Sequence, residues 1–479
     1  MPAVTCIRQA DWVVAWDAAA GAHRYRRSQD VAFDSDGVVF VGDRFTGTVD
    51  EEVDGRDVCV MPGLVNVHCH PTNQPITRGV REEMGNPKFY NSALYDRTGL
   101  WAADDDGMIA GGAVAFGELL KSGVTTVIDY AGRVPEGWMD LLTQTGMRIF
   151  AAPAFRDAEW EVVGESKLDF EWDEARGKAA MEEALALVEQ ASAHPSGLMS
   201  GVVAPAQVDT CTTATLQESY RIACDKGLMW QTHAAQSLTE IHEMTQRHGK
   251  TPVQWLDDLG VLGPRTTLGH CIFTDAHEWT HWPIKGDLET LARTGTTVAH
   301  CPVVFSRYGQ TMQSLGGYMR AGINIGIGTD TAPHNMLEEM RQALILSRVA
   351  SGDMYDIATT EVFNAATIGG AKAYGRDDIG RLAVGAKADL VLLDLTNRYM
   401  RPMRDPLRNL IYTAADRAVR DVYIGGAKVV GDGEVLTLDI PAAVDRLEAA
   451  QRRAEAGVAD RDPEGRPPTE ISPLVLEPE

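Results

Sequence analysis

Between residues 62 and 330 the chain repeats one pattern, a short apolar run followed by a longer amphipathic stretch. Runs of this length suit strands buried on both faces, and the longer stretches, with apolar positions three and four apart, suit helices laid over them. Candidate strands fall at 62–68, 123–130, 148–155, 200–207, 229–235, 266–272, 296–302 and 324–330, with amphipathic segments such as 178–193 and 285–294 between them. Strands that alternate with helices pair in parallel, and eight such units close on themselves. The predicted fold is therefore α/β, a (β/α)8 TIM-like barrel over residues 61–378.

The two ends of the chain read differently. Residues 4–16 and 30–42 alternate apolar and polar positions and are broken by Gly37 and Gly42. Residues 380–395 and 421–433 read as strands joined by glycine turns, with a hairpin at Gly425–Gly426. Segments 1–60 and 379–436 are expected to pair into one small β-sandwich domain. Beyond it, residues 437–479 predict a helix over 441–456 and a tail in which five of the 22 prolines fall within 463–479. That tail is expected to run extended and partly disordered, serving as a clasp on a neighbouring subunit or nothing at all.

Composition narrows the partners. Asp and Glu total 68 against 44 Lys and Arg, a net charge of −24, which argues against nucleic acid and against an anionic membrane. A small-molecule substrate and other copies of the chain, as a homo-oligomer, are the expected partners. The amino terminus lacks the basic start and continuous apolar run of a signal peptide, and no apolar stretch reaches eighteen or so residues, so a cytoplasmic location is expected. Seven scattered cysteines without a CxxC pair indicate neither a disulfide framework nor a zinc knuckle.

The histidines carry the chemistry. His68 and His70, His233, His270 and His300 each sit near the carboxyl end of a candidate strand, and Asp330 closes the eighth. In a parallel barrel those ends share one mouth, where sites are built. His68 and His70 alternate on one strand and so face the same side. Convergent imidazoles with one carboxylate are ligands for Zn²⁺, Fe²⁺ or Co²⁺. His334 follows Asp330 closely enough to line the mouth.

Taken in order, PGLVNVHCH (62–70), the isolated His233, LGHC (268–271), VAHCP (298–302), GIGTD (326–330) and the closing IGRLAVGAKADLVLLDL (379–395) resemble the amidohydrolase superfamily, in particular its branch of cytosine deaminases and triazine hydrolases. The resemblance spans nearly the whole chain. It implies a barrel with a small β domain from both termini, and a metal held by His68, His70, His233 and Asp330. His270 would either join the coordination sphere or hydrogen-bond the bound water, and Asp330 would also act as the base. RGVREE (78–83) resembles a lid over the pocket, with Glu82 and Glu83 facing substrate. Two-metal members use a carboxylated lysine on the fourth strand; residues 200–210 contain none, so one divalent ion, zinc foremost with iron or cobalt as alternatives, is expected.

Two departures bear on substrate. Deaminases of this branch carry His-x-x-Glu on the fifth strand, whereas this chain has His233-Ala-Ala-Gln236, and a glutamine cannot shuttle a proton at neutral pH. After the seventh strand CPVVFSRYG supplies Phe305, Arg307 and Tyr308 in place of a polar Ser-Asn pair. With His300 and His334, these are the expected substrate contacts, and Trp160, Trp230 and Phe155 are candidates for an aromatic wall. Both departures point first to hydrolysis of an acyclic C–N bond in a urea, carbamate or amide, as in the phenylurea and thiocarbamate hydrolases. The alternatives are an aminohydrolase acting on an aminated purine, pyrimidine or triazine, and a non-catalytic scaffold.

Overall fold

The computed structural model describes residues 2–89, 94–95, 99–164 and 166–476. Eight strands form one sheet in chain order: Leu64–Asn66, Val124–Ala131, Arg148–Phe155, Met199–Pro205, Met229–Ala234, Thr266–His270, Thr297–His300 and Asn324–Ile327. Every neighbouring pair is parallel. The sheet closes on itself where Val67 N donates to Ile327 O at 3.1 Å and Cys69 bridges Asp330 in parallel. The barrel expected from the apolar runs is the barrel observed, because strands such as Val124–Ala131 are buried at every position and can lie only between an inner core and an outer helical layer.

The covering helices start on side chains chosen for the task. Asp104 accepts from Gly107 N ahead of Asp105–Lys121, Asp173 from Arg176 N ahead of Glu174–Ser192, and Thr212 from Thr215 N ahead of Thr213–Lys226. Gly227 (φ +70°) and Gly352 (φ +66°) end Thr213–Lys226 and Met336–Ser351 in the left-handed region that side-chain-bearing residues avoid.

Both termini build the small domain. A seven-stranded sheet runs in the order Glu434–Val435, Ala427–Gly431, Val419–Ile424, Leu390–Asp394, Val58–Pro62, Trp12–Asp17, Ala22–Arg26. A four-stranded sheet of Val38–Gly42, Gln29–Phe33, Thr5–Ala10 and Glu51–Asp54 packs against it through Ile7, Val31, Phe33, Val60, Leu392 and Tyr423. The two chain ends meet where Val58–Pro62 pairs antiparallel with Leu390–Asp394. A buried ion pair fastens this domain to the barrel: Arg148 Nε and Nη2 donate to the two carboxylate oxygens of Asp389 at 2.9 and 3.0 Å.

Two elements differ from expectation. The carboxyl-terminal helix forms where it is expected, as Ile440–Ala456, but it and the segment after it lie along their own chain. Leu447, Ala450, Val458 and Ile471 are buried with Ile76, Met84, Trp101 and Val114, Gln451 Nε2 donates to the carbonyls of Ile76 and Arg78, and Ser472 Oγ donates to Val80 O. Ile471, set among the prolines, finds a groove within the same molecule, whereas Leu474, Val475 and Leu476 are exposed, so the tail is an internal strap as far as Ser472, and residues 477–479 lie outside the described residues. The second difference is a hairpin, Ala158–Val163 with Lys167–Trp172, inserted after the third barrel strand, in which Trp160 pairs with Phe170. Among the described residues no helix is long and apolar enough to cross a membrane.

Candidate active site

Barrel closure sets the most widely separated site residues side by side. Asp330 N donates to His68 O at 2.9 Å, and His70 N donates to Asp330 O at 2.7 Å. His270 (φ +82°) and Asp330 (φ +55°) occupy the left-handed region, which costs a non-glycine residue energy and is tolerated where a side chain must be aimed. Gly328 is required beside them, since a Cβ there would stand 2.7 Å from the His68 carbonyl oxygen.

The hydrogen bonds behind the rings fix their protonation. His70 Nδ1 lies 2.7 Å from Tyr130 O and His233 Nδ1 lies 2.6 Å from Ala206 O. His68 Nδ1 lies 3.0 Å from Gln231 Oε1, and the Gln231 amide is oriented by donating from its nitrogen to Val67 O at 3.0 Å. A carbonyl oxygen only accepts, so each Nδ1 carries the proton and each Nε2 presents a lone pair. Burial, reinforced by the neighbouring ring of His70, pushes His68 down to about 3. Burial and the adjacent imidazoles push His233 and His270 well below the ordinary histidine value, so these rings are neutral, the form that ligates a metal.

The lone pairs face one another. His70 Nε2 stands 3.3 Å from His233 Nε2, and Asp330 Oδ1 stands 3.3 Å from His70 Nε2 and 3.9 Å from His68 Nε2. His68 Nε2 is buried without a hydrogen-bond partner. Acceptors packed together with no proton between them repel, and a divalent cation at their centre removes the conflict. The donor set therefore fits a metal ion, with two overlapping groups able to hold it: His68, His70 and Asp330, and His68, His233 and His270. His270 Nε2, 3.9 Å from Asp330 Oδ2, is near enough to serve as either ligand or hydrogen-bond donor.

Beside these residues opens a cavity of about 270 Å³. Phe305 packs edge-on against His270 with ring centroids 4.5 Å apart, and Trp160 of the inserted hairpin joins the wall while its Nε1 donates to Asp209. Gln236 lines the cavity at a turn held by Glu240, whose carboxyl group accepts from Ala235 N and Gln236 N at 2.5 and 3.0 Å. The Gln236 Nε2 is buried without a partner. Asp330 is the one carboxylate among the described residues of the wall.

Several expected substrate contacts lie elsewhere. Glu82 and Glu83 are exposed and outside the wall; Glu82 Oε1 sits 3.6 Å from Arg307 Nη1. Arg307 itself donates to Thr331 Oγ1 at 3.0 Å and reaches the cavity through that residue. His300 is buried, held neutral near pKa 4 by burial, and does not line the cavity. His334 is fully buried 3.8 Å from Glu118 and does not line the cavity. Trp230 is a core residue whose Nε1 donates to Ser219, and Phe155 lines a neighbouring cavity instead. Residues that the motifs did not indicate are Gln231 and Tyr130, which orient ligand rings, and Arg81, Gln74 and Arg156 in the wall. Gln231 alone carried a signal, since it alternates with His233 on one strand and shares its face.

Four imidazoles and an aspartate at the mouth of a parallel barrel define a metal-dependent hydrolase barrel. Comparison with known sequences makes the assignment particular: the amidohydrolase family profile matches residues 59–429, and the chain belongs to the amidohydrolase family. It is a hydrolase acting on carbon–nitrogen bonds. Among relatives, a 5-methylthioadenosine/S-adenosylhomocysteine deaminase of Natronomonas pharaonis is 30% identical over 436 residues, covering 90% of this chain and 94% of its own. A 5'-deoxyadenosine deaminase of Methanothermobacter thermautotrophicus is 27% identical over 84% of this chain and 89% of its own. Among solved structures, an adenosine deaminase from Xanthomonas campestris with bound zinc superposes with a TM-score of 0.80 at 24% identity, covering 95% of this chain and 99% of that one. The likeness to that structure supports the fold.

Proposed function

We propose that the protein is a mononuclear metal-dependent aminohydrolase that replaces the exocyclic amino group of a nitrogen heterocycle by oxygen. The observation that carries this reading over urea or carbamate hydrolysis is the full-length likeness to proteins named as deaminases. The chemistry of the cavity supports it, because aromatic side chains and an unpartnered amide N–H suit a planar ring with an acceptor nitrogen. Zinc is the ion we infer, held by His68, His70, His233 and Asp330, and when bound it acidifies a water and polarises the carbon under attack.

The chain's own residues do the rest. Asp330, the lone carboxylate of the described wall, takes a proton from the attacking water as the new C–O bond forms and returns it to the exocyclic nitrogen, so that the C–N bond breaks with ammonia as the product. Gln236 Nε2 donates a hydrogen bond to a ring nitrogen and lowers the cost of the negative charge gathering there without transferring a proton. His270 steadies the attacking oxygen, and Phe305 covers one side of the site. A second reading, acyclic amide or urea cleavage, is favoured by the amide of Gln236 where an acid would serve ring protonation.

Mass spectrometry of products separates the two. Metal-loaded protein offered aminated purines, pyrimidines and triazines together with aryl ureas and carbamates is expected to convert ring amino groups to oxygen and release ammonia, and Asp330→Asn is expected to lower turnover by roughly 10²–10⁴-fold. Release of a substituted amine from a urea, with every heterocycle untouched, would overturn the reading.

A further inference from the structure

One loop builds part of the cavity wall and starts beside a candidate metal ligand. Asn73 N donates to His70 O at 3.2 Å, and Asn73, Gln74 and Arg81 line the cavity together with His70. Arg81 Nη1 donates to Gln74 Oε1 at 2.9 Å, which ties those two side chains to each other. The loop's own N–H groups, from Thr77, Arg78, Val80 and Arg81, close on the carbonyls of Gln74, Pro75 and Thr77. The alternate carbonyls are taken by the carboxyl-terminal strap, 373 to 392 residues further along the chain. Gln451 Nε2 donates to Ile76 O at 2.7 Å and to Arg78 O at 2.9 Å, and Ser472 Oγ donates to Val80 O at 2.7 Å.

The strap has a seat of its own. Gly107 on the helix Asp105–Lys121 lets it approach closely, since a Cβ there would stand 2.6 Å from Ala450 Cβ. Leu447, Ala450, Val458 and Ile471 are buried around that contact, and Arg446 and Arg453 pair with Asp106 and Asp104 at 2.6 and 2.7 Å. Further on, Arg461 Nε donates to Leu100 O at 2.7 Å. Two donors on a seated element thus hold three loop carbonyls before any ligand arrives, and a wall ordered in advance reduces the ordering cost of binding.

We propose that Gln451 and Ser472 are positioning residues for the substrate cavity: by holding the carbonyls of Ile76, Arg78 and Val80 they fix Gln74 and Arg81 in the wall, so that the carboxyl-terminal strap belongs to the substrate-binding apparatus. This role is the same whichever carbon–nitrogen bond is cut.

The test compares metal-loaded, full-length wild type with Gln451→Met, Ser472→Ala, Ser472→Thr and Arg446→Gln. The last variant removes an ion pair of the strap that does not touch the loop. Three quantities are followed: hydrogen exchange in the peptide containing the Arg78, Val80 and Arg81 amides, phenylglyoxal labelling of Arg81 located by peptide mapping, and KM and kcat for the member of the heterocycle and urea panel turned over fastest. Gln451→Met and Ser472→Ala are expected to speed exchange and labelling and to raise KM by about three- to tenfold, the effect of losing one or two hydrogen bonds, with kcat held within about twofold. Ser472→Thr, which keeps the hydroxyl donor, and Arg446→Gln are expected to match the wild type. Exchange and labelling unchanged in both Gln451→Met and Ser472→Ala, faster exchange with KM unmoved, or a rise in KM that Arg446→Gln reproduces, overturns the inference. Should no panel member be turned over, the aminohydrolase reading falls, and exchange and labelling decide the role of the strap.

Discussion

Gln231 shows how a residue outside the ligand set controls it. Its amide is pinned by Val67 O, and it in turn pins the Nδ1 proton of His68, leaving that ring's Nε2 as a buried lone pair. Gln231→Leu keeps the side chain's approximate size and removes the acceptor, so His68 loses both its orientation and its fixed tautomer. Metal affinity is expected to fall about 10–100-fold, read by competition with a chelator, while circular dichroism stays unchanged. Unaltered affinity would show that packing alone orients the ring. At this scale the candidate ligands were legible in the sequence because strand ends and alternation are local properties: His68 and His70 share a face wherever that strand is placed. Arg81 was not legible, since a charged loop has no periodicity and nothing in RGVREE distinguishes a solvated arginine from one turned into a cavity.

Arg148 and Asp389 tie two elements 241 residues apart in the chain, the third barrel strand and the approach to Leu390–Asp394. Both side chains are nearly withdrawn from solvent, at 6% and 1% exposure, so losing one partner strands a buried charge. Arg148→Met is expected to cost about 3–5 kcal/mol in urea unfolding, and adding Asp389→Leu to recover part of it. An Arg148→Met protein as stable as wild type would mean that Gly425 N, which also donates to Asp389, suffices for the carboxylate. The barrel strands were readable as elements because burial on both faces leaves an unbroken apolar run. The inserted hairpin and the strap were not. Trp160, Val162 and Phe170 alternate over too few residues to stand out, and Val458 and Ile471, the residues that seat the strap, are diluted among prolines and charges and look no different from the exposed Leu474, Val475 and Leu476.

At the scale of the molecule, the small domain and the barrel share a titrating contact. His23, on the strand Ala22–Arg26, packs edge-on against Phe363 of the barrel side, and burial together with the Arg381 charge pushes it down to about 4. Unfolded, the same ring takes its proton near pH 6.5. Between those values the unfolded chain binds a proton that the folded chain refuses, so stability falls as pH drops from 6.5 toward 4 and is complete above 6.5. The loss attributable to this ring is up to about 3 kcal/mol, and His23→Gln is expected to flatten the dependence of the urea midpoint on pH in that window relative to wild type. Identical profiles for the two proteins would assign the acid sensitivity elsewhere. Closure of the barrel has a consequence for biogenesis. Because Asp330 meets His68 and His70 only when the eighth strand docks on the first, a nascent chain shorter than about 330 residues lacks the carboxylate of the set and the scaffold that gathers it. Firm capture of a metal ion at this site would thereby wait until the barrel closes, and an ion held there would act as a rivet across the seam between the oldest and youngest parts of the barrel.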